Sequence, residues 1–428
     1  KLIGSVFQDP RSQFYTTTTT DEVAFGCENL AIGTEQVRER TDALFDEPQL
    51  TQLKDRSIFK ISSGEKQKIA IASIRAMQPD IYVFDEPSAN LDMVAIGELK
   101  ATMLALKAEG KTIIISEHRL YYLMDMIDRL IVIGNGAVAA DFTDGEWMNI
   151  PEKLRWREPL RTFDLSDFSE TLPIASCDIQ EETSVAATAE DFNIIRKHFT
   201  LSADTLRIGY AGKPLIQNIS FQAKSGEVIG VTGKNGIGKT TFARTLCGLI
   251  KQISGTICID GEKIKQRKRR SLFSFVMQDP DYQLFAESAL DELKIGQKET
   301  EWINLKAMGI LTNLGLSDYA DTHPMALSAG QKQRLTIGAC IMKDSKAIIM
   351  DEPTSGLDGK NMNRLSRLTS ELAHQDKIIF LISHDYEFLA QTCTRILNFA
   401  DGGDTDDFPL TPEALPKLLR LLSGGDFS

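Results

Sequence analysis

Short, continuously apolar runs alternate along this chain with longer stretches of helical period. Glu227-Val-Ile-Gly-Val-Thr232, Ala347-Ile-Ile-Met350 and Lys377-Ile-Ile-Phe-Leu-Ile382 show no polar alternation. Such runs fit strands covered on both faces, as in parallel sheets. Gly255-Thr-Ile-Cys-Ile-Asp260 and Leu272-Phe-Ser-Phe-Val-Met277 read as further strands, and Thr240 to Ile250 reads as a helix. The tail Thr411-Pro412-Glu413 to Leu422 reads as a short amphipathic helix with an N-cap threonine and a proline at its first position. The fold class is α/β, with mostly parallel sheets flanked by helices. Periodicity fades between residues 151 and 203, where Asp164, Asp167, Glu170, Asp178, Glu181, Glu182, Glu190 and Asp191 lie among Ser, Thr and Ala. That stretch is expected to be an acidic linker between a first domain, 1–150, and a second, 204–428.

Length fits two such domains, each large enough for its own core. Net charge is −12, which argues against a general nucleic-acid binder. Lys263, Lys265, Arg267, Lys268, Arg269 and Arg270 run against that balance and read as a solvated strand connection. The six cysteines show neither CxxC nor metal spacing and read as reduced, mostly buried thiols. The longest apolar runs fall well short of the roughly 18–20 residues a membrane span needs, so a membrane role requires a separate membrane protein. The chain opens Lys1-Leu-Ile-Gly-Ser-Val-Phe-Gln8, without a methionine or a signal-peptide pattern, and reads as a piece entered mid-strand.

One run of motifs occurs twice. Ser62-Ser63-Gly64-Glu65 returns as Ser328-Ala329-Gly330-Gln331, Phe84-Asp85-Glu86-Pro87 as Met350-Asp351-Glu352-Pro353, and Ser116-Glu117-His118 as Ile382-Ser383-His384. Each second copy follows its first by 266 residues. Gly233-Lys-Asn-Gly-Ile-Gly238-Lys239-Thr240 occurs once, between a predicted strand and a predicted helix.

That last pattern is a phosphate-binding loop. Its glycines, Gly233, Gly236 and Gly238, let backbone N–H groups of the loop, including Asn235 and Thr241, close on phosphate at a helix N-terminus. Lys239 supplies charge to the β- and γ-phosphates, and Thr240 suits Mg²⁺. Asp351 would hold the Mg²⁺ through water, and Glu352 would activate the attacking water. His384, at a strand end, is placed to sense the γ-phosphate. Tyr210, 23 residues before Gly233, is a candidate adenine-stacking aromatic. His198, His323 and His374 have no comparable context.

Tyr210, the loop, Gln278, Leu327-Ser-Ala-Gly-Gln331, Asp351-Glu352, Ser355-Gly-Leu-Asp358 and His384 stand in the order of an ABC-type ATPase. The second lobe resembles that family throughout. The first resembles it from Gln8 onward, through Ser62, Ser63, Gly64, Asp85, Glu86, Asp92 and His118. The resemblance implies two P-loop NTPase lobes, each with a helical subdomain between its glutamine loop and its signature. It implies ATP and Mg²⁺ as cofactors. It also implies that each ATP lies between one lobe's phosphate loop and the other's signature. Gln278 and Gln8 would then act near Mg²⁺ and the attacking water, with Asp85, Glu86 and His118 as the first lobe's metal, base and switch residues. Ser62, Ser63, Gly64 and Asp92, and in the other copy Ser328, Gly330 and Asp358, would bind nucleotide. Ser63, Ala329 and Glu65 depart from the usual signature Gly, Gly and Gln, so turnover is expected to differ between the two sites. Gly233 precedes Gln278 by 45 residues, and the same offset from Gln8 falls ahead of Lys1. One ATP bound by a phosphate loop is therefore expected for this chain.

Gln278-Asp-Pro-Asp-Tyr-Gln-Leu-Phe285 mirrors Gln8-Asp-Pro-Arg-Ser-Gln-Phe-Tyr15. Both look like segments of ATPases from energy-coupling-factor importers, which take up vitamins or metal ions. In that group these segments help receive the membrane coupling subunit, and the ATPase is peripheral, at the cytoplasmic face of the plasma membrane. Alternatives are an ATPase of another ABC transporter subfamily or a soluble twin-lobe ribosome-associated ATPase. The short, acidic, Pro-interrupted linker (Pro151, Pro159, Pro173) speaks against the latter. A DNA-repair or chromosome ATPase would need coiled coils or zinc cysteines, and an inactive scaffold conflicts with Lys239, Glu352 and His384.

Overall fold

In a computed structural model, residues 3–89, 91–134, 136–143, 145–150, 160–169, 198–210, 212–400 and 404–425 are described. Most of the acidic stretch expected as a linker lies outside them. The chain divides into two compact units, Lys1–Asp164 with Asp358–Lys360, and Leu165–Leu357 with Asn361–Ser428. Leu165–Ser169, within that stretch, forms a 3-10 turn, and the second unit's first strand opens at Thr200.

The second unit is built on a six-stranded sheet in the order β11 (Phe273–Val276), β12 (Ala347–Asp351), β13 (Ile378–Ile382), β8 (Val228–Gly233), β14 (Arg395–Phe399), β15 (Thr405–Pro409). All neighbours are parallel except the edge pair β14–β15. Every residue of β12 and β13 is buried, as their unbroken apolar runs require. An antiparallel sheet, β10 (Glu262–Lys263), β9 (Ser254–Ile259), β6 (Thr200–Tyr210) and β7 (Lys213–Lys224), shares one hydrophobic core with these strands. Phe242, on the helix Lys239–Leu246, lies edge-on to Phe221, Phe380 and Phe399 at 5.8, 6.0 and 5.2 Å between centroids. This cluster fixes the helix that follows the glycine-rich loop to both sheets. Three helices, Ala289–Lys294, Glu301–Asn313 and Ala329–Met342, close a separate core around Ala307, Leu311 and Leu335.

The first unit repeats part of this plan. β1 (Ile3–Val6), β2 (Ile81–Asp85) and β3 (Thr112–Ser116) form a parallel sheet, and β4 (Arg129–Gly134) pairs with β5 (Ala137–Thr143) in a hairpin. The helices Thr19–Asn29, Thr34–Phe45 and Ser63–Ala76 enclose Val23, Phe45, Leu53 and Ile69. The burial of β3 differs from that of its counterpart β13. β3 alternates exposed and half-buried positions, with Ile114 55% exposed.

The basic run at 263–270 is not a simple solvated connection. It forms the helix Gln266–Leu272, and Arg269 is fully buried, with Nη2 donating to Gln252 Oε1 at 2.7 Å. Arg270 Nε donates to Gly248 O at 2.9 Å. These two arginines tie the connection to the segment 248–252 that follows the preceding helix, while Lys263, Lys265, Arg267 and Lys268 stay exposed. No helix of the described residues is long and apolar enough to cross a membrane.

Candidate active site

β8 delivers the chain to the loop at the carboxyl end of a strand inside the buried sheet, and the loop is shaped by backbone that side chains resist. Gly233, Gly236 and Gly238 have φ of 136°, 80° and 118°, a region that disfavours any Cβ. A Cβ on Gly233 would stand 2.6 Å from Phe399 O. The cradle therefore has the dimensions of bare backbone, which is what close approach to phosphate requires. Lys239 is buried, and its ammonium donates to Gly233 O at 2.6 Å and Lys234 O at 3.1 Å. The charge is thus held inside the loop.

Thr240 Oγ1 donates to Asp351 Oδ2 at 2.7 Å. Asp351 ends β12 and is buried. Burial pushes its carboxyl above the ordinary value, against the lowering pull of Thr240, Lys239 and Arg244. A hydroxyl and a carboxylate in contact, beside a phosphate cradle, are the oxygen donors Mg²⁺ takes together with nucleotide phosphates. Tyr210 ends β6, is half exposed, and accepts a hydrogen bond from Thr241 Oγ1 at 3.3 Å. Its ring thus lies at the first turn of the loop's helix.

Glu352 follows β12 with φ of 47°. A non-glycine residue in this region is strained and persists only where its surroundings fix it. Its N–H is bonded to Ile382 O at 2.8 Å. Its carboxylate accepts from Ser383 Oγ at 3.3 Å and lies 3.8 Å from His384 Nε2. Glu86 repeats the strain, with φ of 41°, and its N–H donates to Ser116 O at 2.8 Å. Glu86 Oε2 accepts from Gln8 Nε2 at 2.7 Å, and Oε1 lies 3.4 Å from His118 Nε2. The Glu86 contact holds the His118 imidazole above its ordinary pKa, while burial pulls the other way.

Several expected residues thus converge: Lys239, Thr240 and Asp351; Tyr210 and Thr241; Glu352 and His384; Gln8, Glu86 and His118. Asp85 is exposed, unlike its buried counterpart Asp351, and Gln278 is exposed on leaving β11. Ser62 and Ser328 each cap the helix that follows, Ser63–Ala76 and Ala329–Met342. Each forms a capping box, with Glu65 and Gln331 respectively. Glu65, where Gln is usual, fills the same structural role. Burial raises its pKa, but bonds from Ser62 carry the net shift below the ordinary value. Gly64 and Gly330 sit in the first turns of these helices. Asp92 caps the helix Met93–Ala108 through Ala95 N, and Asp358 precedes the helix Gly359–His374.

Two features escaped sequence reasoning. Glu22 and Glu292 are buried carboxylates that pin the segments after the glutamines. Glu22 accepts from Tyr15 N and Thr16 N at 3.0 and 2.9 Å, and Glu292 from Phe285 N and Ala286 N at 2.8 Å each. The signal was present, since an Asp-Glu pair follows each segment. The second feature is a hydrogen-bonded network around Glu117, and it left no such signal.

The ABC transporter family profile matches residues 1–89 and 216–355. A Treponema denticola ABC transporter ATP-binding protein is 40% identical over 94% of this chain and 79% of its own length. A Bacillus subtilis protein named as an HMP/thiamine import ATP-binding protein is 31% identical over 94% of this chain and 75% of its own. Among solved structures, the RNase-L inhibitor aligns over 98% of this chain and 77% of its own, at 22% identity and a TM-score of 0.62, a likeness of fold. With the profile covering more than half of the chain, this protein belongs to the ABC transporter ATP-binding family, whose members bind ATP and drive transport by hydrolysing it.

Proposed function

We propose that this protein is the ATP-hydrolysing subunit of an importer of the energy-coupling-factor type, taking up a vitamin or a metal ion. It would act at the cytoplasmic face of the plasma membrane and bind its membrane coupling subunit through Gln8–Tyr15 and Gln278–Phe285. The observation that carries this reading is the aromatic surface of those segments. Tyr15, Tyr282 and Phe285 are 75%, 66% and 78% exposed, and the backbone N–H groups of Tyr15 and Phe285 are bonded to the buried carboxylates Glu22 and Glu292. Exposed aromatics on preformed backbone are what a protein interface selects. The relative named for HMP/thiamine import supports the vitamin-uptake reading.

In this reading the Gly233–Thr240 loop holds the ATP phosphates, with Lys239 neutralising charge and Tyr210 stacking on adenine. Thr240, Asp351 and Gln278 would hold Mg²⁺, which draws charge off the phosphate oxygens when bound. Glu352 takes the proton of the attacking water, and its strained backbone aims the carboxylate. His384 contacts the γ-phosphate. Ser62, Ser63, Gly64 and Asp92, and in the other copy Ser328, Gly330 and Asp358, are assigned to nucleotide. Gln8, Asp85, Glu86 and His118 are assigned the matching metal, base and switch roles in the first lobe.

Co-purification from solubilised membranes tests the docking. The full chain should carry a polytopic membrane protein, and Tyr282→Ala/Phe285→Ala should lose it while keeping ATP affinity. Recovery of ribosomes in place of a membrane protein would overturn the assignment.

A further inference from the structure

The segments around His118 and His384 differ between the lobes, and three of the differences in the 266-residue register bear on how each histidine is held. Glu117, Arg119 and Tyr122 stand where the second lobe has Ser383, Asp385 and Phe388. In the first lobe the three side chains form one network. Glu117 Oε1 accepts from His118 N at 2.8 Å and Arg119 N at 3.1 Å, and Oε2 accepts from Tyr122 Oη at 2.8 Å and Ser88 N at 3.3 Å. Arg119 Nη1 donates to Ser88 O at 3.3 Å and Leu91 O at 3.1 Å. Ser88, Arg119 and Tyr122 are all buried. Charge-assisted bonds shielded from water are the strong ones.

The second lobe cannot build this network. Phe388 has no hydroxyl and Asp385 no guanidinium. Ser383 instead donates toward Glu352 at 3.3 Å and accepts from Asp385 N at 3.1 Å. The exchange therefore frees Glu86 from the serine contact that Glu352 has, and it fastens the His118 loop to the Ser88–Leu91 turn. His118 lies 3.4 Å from Glu86, against 3.8 Å for His384 and Glu352.

We propose that Glu117 is a positioning residue that bolts the His118 loop to the Ser88–Leu91 turn, making His118 a fixed partner of Glu86. This rests on the reading of Glu86 and His118 as a base and switch pair, but the contact is measurable whether or not that reading holds. The probe is the ring ¹⁵N spectrum of His118 in the histidine-labelled full chain at one fixed pH, with His384 as internal reference. The His118 ring shifts should show the carboxylate contact in the wild type. They should lose it in Glu117→Ser and move part of the way in the charge-neutral Tyr122→Phe, with the His384 signal unmoved. Glu117→Gln, which keeps an acceptor for the two amides of the loop, should retain more of the signature than Glu117→Ser. An unchanged His118 spectrum in folded Glu117→Ser overturns the proposal. A change in Glu117→Ser with none in Tyr122→Phe also overturns it, because loss of charge alone would then explain the shift. If Glu117→Ser fails to fold, Tyr122→Phe decides between the same outcomes. Should ATP bind undiminished to Lys239→Ala, the functional reading fails while the His118 result stands.

Discussion

Chemical identity and placement must agree at single residues, and the strained pair Glu86 and Glu352 shows this best. Both occupy left-handed backbone that a carboxylate side chain does not seek, and both have their N–H bonded to the last residue of the neighbouring strand. The strain is held by the sheet, and it aims the carboxylate out of the strand end. The two then differ in company. His118, raised by Glu86 against the opposing effect of burial, should titrate above the ordinary histidine value, and Glu86→Gln should bring it down. The sign for stability follows. A histidine raised in the folded state stabilises it fully below the unfolded pKa of about 6.5, and that stability is lost as pH rises through the folded value. The gap in stability between wild type and Glu86→Gln should therefore widen toward acid and close toward alkaline pH in denaturation series. A His118 titration unaffected by Glu86→Gln would refute the pairing.

At the scale of elements, the glycine-rich loop works because β8 and the helix Lys239–Leu246 are each anchored independently. β8 pairs on both sides, with β13 and β14. The helix is anchored by Phe242 among three aromatic rings. Truncating Phe242→Ala should cost roughly 3–5 kcal/mol in chemical denaturation. Gly233→Ala places a methyl 2.6 Å from Phe399 O at φ of 136°. It should cost roughly 2–5 kcal/mol from strain and overlap and weaken ATP binding with it. A stable Gly233→Ala variant of unchanged affinity would mean that the loop does not need bare backbone.

Elements were also where the sequence was most and least informative. The strands β8, β12 and β13 were legible because burial on both faces leaves an unbroken apolar run. The loop was legible because its chemistry is contiguous. The basic run at 263–270 misled because a charge run reads as solvated, and only the fold shows Arg269 turned inward onto Gln252. Glu117 was opaque for a related reason. Its acceptor role depends on Ser88, 29 residues away, and on a tyrosine whose buried hydroxyl no periodicity reveals.

For the whole molecule, duplication carries the account. Two units share a plan and a motif ruler but differ in detail. The switch segments are held by different side chains, Glu117 and Tyr122 in one lobe and Ser383 and Asp385 in the other. The two halves should therefore contribute unequally to ATP turnover. The central claim is that the Gly233–Thr240 loop binds ATP and Glu352 drives its hydrolysis. The most direct test measures ATP affinity and turnover together in Glu352→Gln and in the wild-type chain. The account predicts affinity within about threefold, because Glu352 is not part of the phosphate cradle, and turnover lower by a factor of at least about 100, the usual contribution of a general base. Undiminished hydrolysis in Glu352→Gln, or loss of binding together with hydrolysis, would contradict it.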